Sequence, residues 1–226
     1  ADGNRIAIGA SNANYGASGH VRIYEWNGSS WIQLGNDIDG EVTGDFSGDY
    51  VSLSSDGNTV AIGAEYNDGN TGNTSDNRGH VRVYTWNGSS WLQLGNDIDG
   101  EATYDQSGNS ISLSADGNFV AIGAEQNDGA VYGNDAGHVR VYKFDGIDWY
   151  QISQDFDGEN PGASCGMSVS LSSDGNTVAI GVPHNGNDGS VRIYNLTPIG
   201  GCIDSNACNY EPIANFDDGS CFGYLG

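Results

Sequence analysis

Positive charge is scarce in this sequence. Seven Lys and Arg residues stand against thirty Asp and Glu, which gives a formal net charge of −23. A field of that sign repels phosphate groups, so we expect no binding to nucleic acid or to an anionic membrane surface. No apolar run approaches the ~20 residues that span a bilayer, so we expect no membrane insertion. No signal-peptide pattern is present either, so we expect any secreted form to be a mature or trimmed one.

Proline, methionine and cysteine are also rare, at 4, 1 and 4 residues, whereas glycine reaches 36. A disordered acidic chain is excluded, because twelve Tyr, five Trp and six Phe are too many aromatic residues for disorder. The composition favours an extracellular, loop-rich β protein that binds calcium. We therefore predict a secreted protein or one on the cell surface.

A turn with the sequence Asp-Gly-Asn occurs four times, beginning at Asp2, Asp56, Asp116 and Asp174. The spacings of 54, 60 and 58 residues indicate a supersecondary unit that is repeated in space. An Asp-Gly pair between alternating apolar residues is a strong hairpin signal. Each repeat is therefore predicted to hold four short antiparallel strands, which in the second repeat cover residues 51–54, 59–64, 80–86 and 91–95.

Alternation along these strands predicts which residues share a face of the sheet. One face would be aliphatic, with Val60, Ile62, Val81, Val83 and Leu92, whereas the other would carry the polar and aromatic residues of the third strand, namely His80, Arg82, Tyr84 and Trp86. Neither face has the composition of a solvated surface, so both are predicted to be covered by neighbouring sheets. We predict an all-β fold: a β-propeller of four-stranded antiparallel blades, about 3.5 of them in this chain. A two-sheet sandwich is the alternative, but it does not explain the period.

The segment 165–183, CGMSVSLSSDGNTVAIGVP, followed by GSVRIY at 189–194, resembles the FG-GAP repeat of integrin-α-type propellers. The resemblance covers roughly residues 1–195 and implies β-propeller repeats over residues 1–197. Only Pro183 supplies the proline of that pattern. The hairpin turn SSDGN is too short for the Asp-rich calcium loop of the family, so the resemblance implies no calcium at that turn.

Residues 198–226 form a separate, cysteine-rich C-terminal module, in which three of the four cysteines lie within twenty residues. This segment resembles a short module, G-C-x-D-x-x-A-x-N-Y-x-x-x-A-x-x-D-D-G-S-C, of secreted surface proteins from marine Bacteroidetes. The resemblance implies a disulfide between Cys202 and Cys221. Cys208 is then left to pair with Cys165 or to remain free. Alternatively, Cys165 is simply a small residue in the place that Ser47 and Ser107 occupy in earlier repeats.

An acidic run follows the fourth strand of three repeats. The motif Asp-x-Asp-Gly places alternate carboxylates on one side of a turn, as Ca²⁺ prefers. The structural alternative is that one Asp caps the turn while another pairs with a buried Arg, since Arg22, Arg82, Arg140 and Arg192 share one repeat position. Calcium is the only cofactor we predict, and its candidate ligands, including three acids of the C-terminal module, are Asp37, Asp39, Glu41, Asp97, Asp99, Glu101, Asp155, Asp157, Glu159, Asp204, Asp217 and Asp218.

Other residues at repeated positions are candidates for binding or modification. His20, His80 and His138 begin the third strand, but equivalent positions of different blades lie far apart, so we predict buried, hydrogen-bonded histidines rather than a zinc site. The Trp pairs Trp26/Trp31 and Trp86/Trp91 are candidates for stacking on sugars, although cross-strand aromatic pairing is favoured. Candidate glycan attachment sites are Asn27, Asn73, Asn87 and Asn195.

The sequence contains no arrangement of nucleophile and base and no phosphate-binding loop, so we predict that the protein is not an enzyme. The predicted function is that of a non-enzymatic extracellular structural or adhesion protein. It would be a subunit of a homo-oligomer or surface filament completed by strands of another chain. The alternative is a carbohydrate-binding, lectin-like propeller module that uses its loops and Trp pairs. The expected partners are further copies of the chain or other surface proteins, together with glycans.

Overall fold

The computed structural model describes residues 3–11, 17–69, 75–128, 134–186 and 188–196, and the backbone of two short strands beyond them. The chain divides into two compact units, Ala1–Tyr194 and Asn195–Gly226. The boundary predicted from the sequence lies after residue 197, and the identities proposed for the two domains stay predictions. Within the described ranges, no helix has the length and apolar character needed to cross a bilayer.

Four antiparallel sheets follow one another along the first unit, and the described residues contain no α-helix. The all-β class and the antiparallel, four-stranded sheet predicted from the sequence are confirmed. Sheet one contains β1 (Arg5–Ala10), β2 (His20–Trp26), β3 (Trp31–Gln33) and β4 (Ile38–Asp39), and sheet two contains β5 (Val51–Leu53), β6 (Thr59–Ala64), β7 (His80–Trp86), β8 (Trp91–Gln93) and β9 (Ile98–Asp99). Sheet three contains β10 (Ser110–Leu113), β11 (Phe119–Ala124), β12 (His138–Phe144), β13 (Trp149–Gln151) and β14 (Phe156–Asp157). Sheet four contains β15 (Ser168–Leu171), β16 (Thr177–Val182) and β17 (Ser190–Asn195). In the second unit, β18 (Gly200–Gly201) and β19 (Phe216–Asp217) form a parallel pair.

The outermost strand of a sheet is broken into two pieces, which the sequence did not predict. In sheet two, β8 pairs with the end of β7 through Trp86 and Trp91, whereas β9 pairs with its beginning through His80 and Asp99. Gly95 lies in the break with a φ of 68°, a left-handed conformation that glycine adopts without strain. Because the chain returns to the sheet after this break, the acidic run comes to lie beside the start of the third strand.

The strand register corrects the predicted assignment of faces. Ile62 pairs with Arg82, and Ala61 pairs with Val83. Paired residues in an antiparallel sheet lie on the same face, so Val60 and Ile62 share a face with Arg82, and the valines of β7 lie on the other. The prediction that all these aliphatic residues share one face is therefore wrong. The pattern of a single strand fixes its two faces, but only the register decides how faces of neighbouring strands combine.

Consecutive sheets pack face to face. One face of sheet two, with Val81 and Val83, forms a core with Val120 and Ile122 of sheet three. The sheets approach so closely that a Cβ atom on Gly63 would lie 2.3 Å from the carbonyl oxygen of Gly108. The inner strands are also joined directly, since the amide of Leu113 donates to Ser52 Oγ at 2.9 Å. Inside the stack, the repeated unit is therefore a layer whose two faces are covered by the neighbouring sheets.

The predicted burial of both faces is confirmed inside the stack, where Arg82 is 6% exposed and Val83 is 1% exposed. The prediction is wrong for the outermost strand β8 and for the outer faces of sheets one and four. Leu92 is 49% exposed because it lies on the short outermost strand β8. Ile8 of sheet one and Val191 of sheet four are 50% and 71% exposed, because no sheet among the described residues covers those faces.

Cys165 is a free, buried thiol in the structure, whereas Cys208 lies outside the described residues, so a disulfide between Cys165 and Cys208 stays a prediction. Its Sγ donates to the carbonyl oxygen of Phe156 at 3.2 Å, and burial raises the pKa of the thiol to about 11. Gly137 bridges to Cys165 just as Gly79 bridges to Ser107, so the thiol replaces the hydroxyl of the earlier repeats. The other cysteines, Cys202, Cys208 and Cys221, lie outside the described residues, and the Cys202–Cys221 bridge stays a prediction.

Candidate metal centre

A histidine and three carboxylates converge between sheets one and two. His80 begins β7 and lies opposite Asp99 in the register, with Asp97 just before β9. Glu41 reaches the same place from sheet one, where it follows β4. The Nδ1 atom of His80 lies 3.8 Å from Asp97 Oδ2, 3.9 Å from Asp99 Oδ1 and 4.0 Å from Glu41 Oε2. We call the group Glu41, His80, Asp97 and Asp99 the first cluster.

The arrangement is repeated between sheets two and three. His138 Nδ1 lies 3.8 Å from Asp155 Oδ2 and 3.9 Å from Glu101 Oε2. We call Glu101, His138 and Asp155 the second cluster. In each cluster, the donor atoms of the glutamate, the histidine and the first aspartate all lie within 4.8 Å of one another, close enough to bind one metal ion. Each cluster combines an acid of one sheet with a histidine and an acid of the next.

His80 and His138 are buried, with 1% of each residue exposed, as predicted, whereas His20 is only half-buried. Burial, together with the nearby Arg82, lowers the pKa of His80 to about 4, and Asp97 opposes this only in part. The imidazole is therefore neutral at physiological pH and can donate a nitrogen lone pair. The distances from Nδ1 to the carboxylates are too long for hydrogen bonds, so the predicted hydrogen-bonded role does not describe these contacts.

Neighbouring side chains hold each carboxylate so that one oxygen faces the histidine. Gln93 Nε2 donates to Asp97 Oδ1 at 2.6 Å, and Asp97 Oδ2 remains directed at His80. Gln151 does the same for Asp155, also at 2.6 Å. Residues that orient metal ligands typically bind, in this way, the carboxylate oxygen that does not face the metal.

The repeated arginine holds the glutamate in the same way and joins the sheets. Arg82 Nη1 lies 3.6 Å from Glu41 Oε1, while Arg82 Nη2 donates to the carbonyl oxygen of Asp39 at 2.8 Å. Arg140 makes the corresponding contacts with Glu101 and Asp99. Arg192 likewise pairs with Glu159 and donates to the Asp157 carbonyl. The predicted internal pairing of these arginines is confirmed, although the acid in these pairs is the glutamate of the preceding sheet rather than an aspartate.

The first cluster carries an excess of negative charge. Three carboxylates and one guanidinium meet at His80, which is itself neutral. Burial and the adjacent Asp97 raise the pKa of Asp99, although Arg78 and Arg140 act in the opposite direction. In the second cluster, burial raises the pKa of Glu101 in spite of Arg140. A divalent cation would remove this imbalance in either cluster.

The first and last copies of the repeat differ from these two clusters. His20, Asp37 and Asp39 lie together, but Arg22 donates to both oxygens of Asp37, at 3.0 Å from Nε and 2.8 Å from Nη2. Hydrogen bonds from Arg22 and then Gln33 lower the pKa of Asp37 to about 2, so this carboxylate is already compensated. In the last copy Ser190 replaces the histidine. Two of the four copies therefore combine an imidazole with uncompensated acids.

The second cluster opens into a cleft of about 280 Å³. Thr103, Asp105 and Asn127 line this cleft beside Glu101 and His138. The amide of Ala102 donates to Asp105 Oδ2 at 2.8 Å, which fixes the loop that follows Glu101. Ions and water can therefore reach the cluster from solvent.

The structure divides each predicted calcium run between two clusters. Asp97 and Asp99 face His80, whereas Glu101 of the same run belongs to the second cluster. The runs are divided because Glu101 lies beyond the turn and points toward the next sheet, and calcium binding by these acids stays a prediction. Asp157 lines the cleft of the second cluster, and Glu159 is bound by Arg192. Asp204 and Asp218 lie outside the described residues, as does the side chain of Asp217.

The tryptophan pairs form cross-strand contacts, with ring centroids 5.5 Å apart in both Trp26/Trp31 and Trp86/Trp91. Trp91 Nε1 also donates to the Leu34 carbonyl of sheet one at 2.8 Å, so this indole is part of the sheet packing. Of the candidate glycan sites, Asn27, Asn87 and Asn195 are exposed, and Asn73 lies outside the described residues. Glycosylation stays a prediction.

Sequence reasoning missed one further acid. Burial, followed by the charges of Asp49 and Glu125, raises the pKa of Glu65 to about 7. The only available signal was a repeated Ala-Glu pair at the end of the second strand, since Glu65 and Glu125 follow β6 and β11. Neither hydropathy nor spacing indicated that this glutamate is half-buried among acids.

Neither a protein-family model nor a curated protein matches the chain. Several solved structures resemble it. Hydrazine synthase of Kuenenia stuttgartiensis aligns with a TM-score of 0.52 and 12% identity, over 86% of this chain and 56% of that chain. Proteins assigned as 6-phosphogluconolactonases of Bacteroides uniformis and Bacteroides fragilis align with TM-scores of 0.50, at 10% and 11% identity, over 78% of this chain and 44% of theirs. The chain thus spans about half the length of these structures, and the likeness supports a propeller-like all-β fold.

This finding corrects the predicted function. We predicted a non-enzymatic structural or adhesion protein, with a lectin-like module as the alternative. That prediction is wrong, because the solved structures that share the fold are named as lactonases and a synthase. Repetition was taken to indicate architecture alone, whereas the repeated residues also build polar clusters between the sheets. The likeness transfers no activity, and the prediction that this chain is not an enzyme stays a prediction.

Proposed function

We propose that this protein binds two divalent cations, one at each cluster between adjacent sheets. The observation that carries the proposal is the repeated convergence of a glutamate from one sheet with a buried histidine and an aspartate of the next, within 4.8 Å.

The chemistry of the donors supports this proposal. A neutral imidazole is an ordinary metal ligand, and so is a carboxylate whose other oxygen contacts a neighbouring side chain. These supporting contacts already restrict the rotation of the carboxylates, so less conformational entropy is lost when an ion binds. A cation would also offset the repulsion among the three acids of the first cluster, which the single contacting guanidinium of Arg82 does not balance. By contrast, a net charge of −23 would repel a phosphorylated lactone, so we do not extend to this chain the activity for which the lactonase neighbours are named.

We also propose that the four sheets are consecutive propeller blades of the FG-GAP type, about 3.5 in number. The face-to-face packing of consecutive sheets supports this assignment. A disulfide-stapled C-terminal module and an extracellular location remain part of the proposal on the strength of the sequence alone.

Metal stoichiometry tests the proposed function. Purified protein is dialysed against Zn²⁺, Mn²⁺, Co²⁺ or Ca²⁺ at physiological salt, and bound metal per chain is measured by mass spectrometry. We expect about two ions for the wild type, one for Asp97→Asn, one for Asp155→Asn and none for the double variant, because each change removes a ligand from one cluster.

Asp37→Asn is the matched control. It makes the same change of charge at the equivalent position of sheet one, where Arg22 already compensates the carboxylate, so two ions should remain bound. Non-specific attraction to the acidic surface would fall equally in all three single variants. The proposal is overturned if the wild type binds no ion, or if the double variant binds as many ions as the control.

A further inference from the structure

We infer that the ion in each cluster is a borderline transition metal of the Zn²⁺ or Co²⁺ type, held through histidine Nδ1, rather than calcium. This inference rests on the proposed function and adds the class of ion. It depends on which donor atoms are available and on how many there are.

Few carboxylate oxygens are directed at each histidine, whereas calcium takes six to eight oxygen ligands. In the first cluster, Arg82 lies against Glu41 Oε1 and Gln93 binds Asp97 Oδ1. The oxygens directed at His80 are then Glu41 Oε2, Asp97 Oδ2 and Asp99 Oδ1, one from each acid. Of these, Glu41 Oε2 and Asp97 Oδ2 lie with the imidazole nitrogen within 4.8 Å of one another, which makes three donors, the number of protein ligands in an open zinc site.

The second cluster offers the same three donors, one each from a glutamate, a histidine and an aspartate. Glu101 Oε2 and Asp155 Oδ2 lie within 4.0 Å of His138 Nδ1, while their second oxygens face Arg140 and Gln151. Three protein donors beside a cleft leave a coordination position for water. Calcium would have to take most of its oxygen ligands from water or from residues outside the clusters.

The position of the histidine supports nitrogen ligation. Each His is buried at the start of a strand whose register is fixed by paired residues on either side. Calcium would leave a buried nitrogen directed at the ion without using it, whereas imidazole is a preferred ligand of zinc and cobalt. The acids alone would not distinguish the two classes of ion, so the inference depends on the histidines.

Competition tests the inference. The wild type is dialysed against Co²⁺ with Ca²⁺ in large excess, and cobalt is followed by its visible absorption. We expect Co²⁺ to remain bound at two sites. The double variant His80→Asn/His138→Asn should weaken Co²⁺ binding by at least about ten-fold, because it replaces both nitrogen donors. His20→Asn is the control and should bind Co²⁺ as the wild type does.

A second measurement covers the case in which the buried substitutions do not fold, which circular dichroism would reveal. Pulsed electron paramagnetic resonance of the wild type loaded with Cu²⁺ should show coupling to an imidazole nitrogen. The inference is overturned if Ca²⁺ displaces Co²⁺, if the folded double variant binds Co²⁺ as tightly as the wild type, or if no nitrogen coupling is seen. If the wild type binds two Ca²⁺ ions and Asp97→Asn/Asp155→Asn binds none, the choice of ion is overturned and the proposed function stands. If the wild type binds no ion of any kind, both are overturned.

Discussion

At the scale of single residues, the repeat places the same side chain in environments of different charge. Asp37 is bound by Arg22, whereas its counterpart Asp97 accepts from Gln93 and faces a neutral histidine. The difference arises because the arginines of the later sheets turn toward the glutamate of the preceding sheet. A shared sequence position therefore does not imply a shared role.

Glu65 offers a residue-scale prediction that is independent of metal. Its raised pKa, about 7, means that the native state holds a proton which the unfolded chain releases near its ordinary pKa of about 4.3. The wild type should therefore lose stability as the pH rises from about 4.5 through 7. Glu65→Gln carries no such proton, so it should be more stable than the wild type at pH 8, by about 1–3 kcal/mol, and similar to it near pH 4.

Urea unfolding of both proteins over this pH range measures the effect. Glu125→Gln, the same change in sheet three, should have a smaller effect, because it removes only one of the two charges that raise the pKa of Glu65. A stability difference between wild type and Glu65→Gln that does not change with pH would contradict the assignment.

At the scale of strands and sheets, the close approach of two backbones makes one position intolerant of any side chain. The Cβ of Gly63→Ala would lie 2.3 Å from the Gly108 carbonyl oxygen, and neither backbone can move without disturbing a sheet. We expect a loss of about 3 kcal/mol in the free energy of unfolding, at the upper end for overpacking.

Gly28→Ala separates this clash from backbone strain. Gly28 has a φ of 95°, and a Cβ atom added there would meet no other atom within 4 Å. Only the unfavourable backbone conformation should therefore matter, at a cost of about 1 kcal/mol. Denaturant unfolding compares the two variants. Equal losses would mean that the sheets can separate enough to accept a methyl group.

The strands themselves could be predicted from the sequence, but the register between strands and the stacking of the sheets could not. The Asp-Gly-Asn turns and the alternation fixed the hairpins, because both signals lie within a few residues. The broken fourth strand depends on Gly95, whose left-handed φ is only one of many conformations open to glycine. The register of β6 against β7 decided that Ile62 shares a face with Arg82. Similarly, the meeting of Glu41 with His80 depends on how two sheets stack, for which neither local spacing nor hydropathy carries a signal.

At the scale of the whole first unit, the clusters lie at the interfaces that hold the stack together. Glu41 and Glu101 each come from one sheet, and the histidine and aspartate come from the next. An ion bound by both partners must be released when adjacent sheets separate. Metal binding should therefore stabilise the packing of sheets one to three as well as fill a site.

Metal dependence of stability follows from this arrangement. At a free ion concentration of about one hundred times Kd, each site should add about 2.7 kcal/mol to the free energy of unfolding, because the unfolded chain does not assemble the ligands. Zn²⁺ or Co²⁺ should raise the unfolding temperature, and EDTA should return it to the metal-free value. Calorimetry of Asp97→Asn/Asp155→Asn should show no shift with metal, whereas Asp37→Asn should shift as the wild type does. If the double variant gains as much stability as the control, the ions act on the acidic surface as a whole, and the interfaces between the sheets are held by arginine and apolar packing alone.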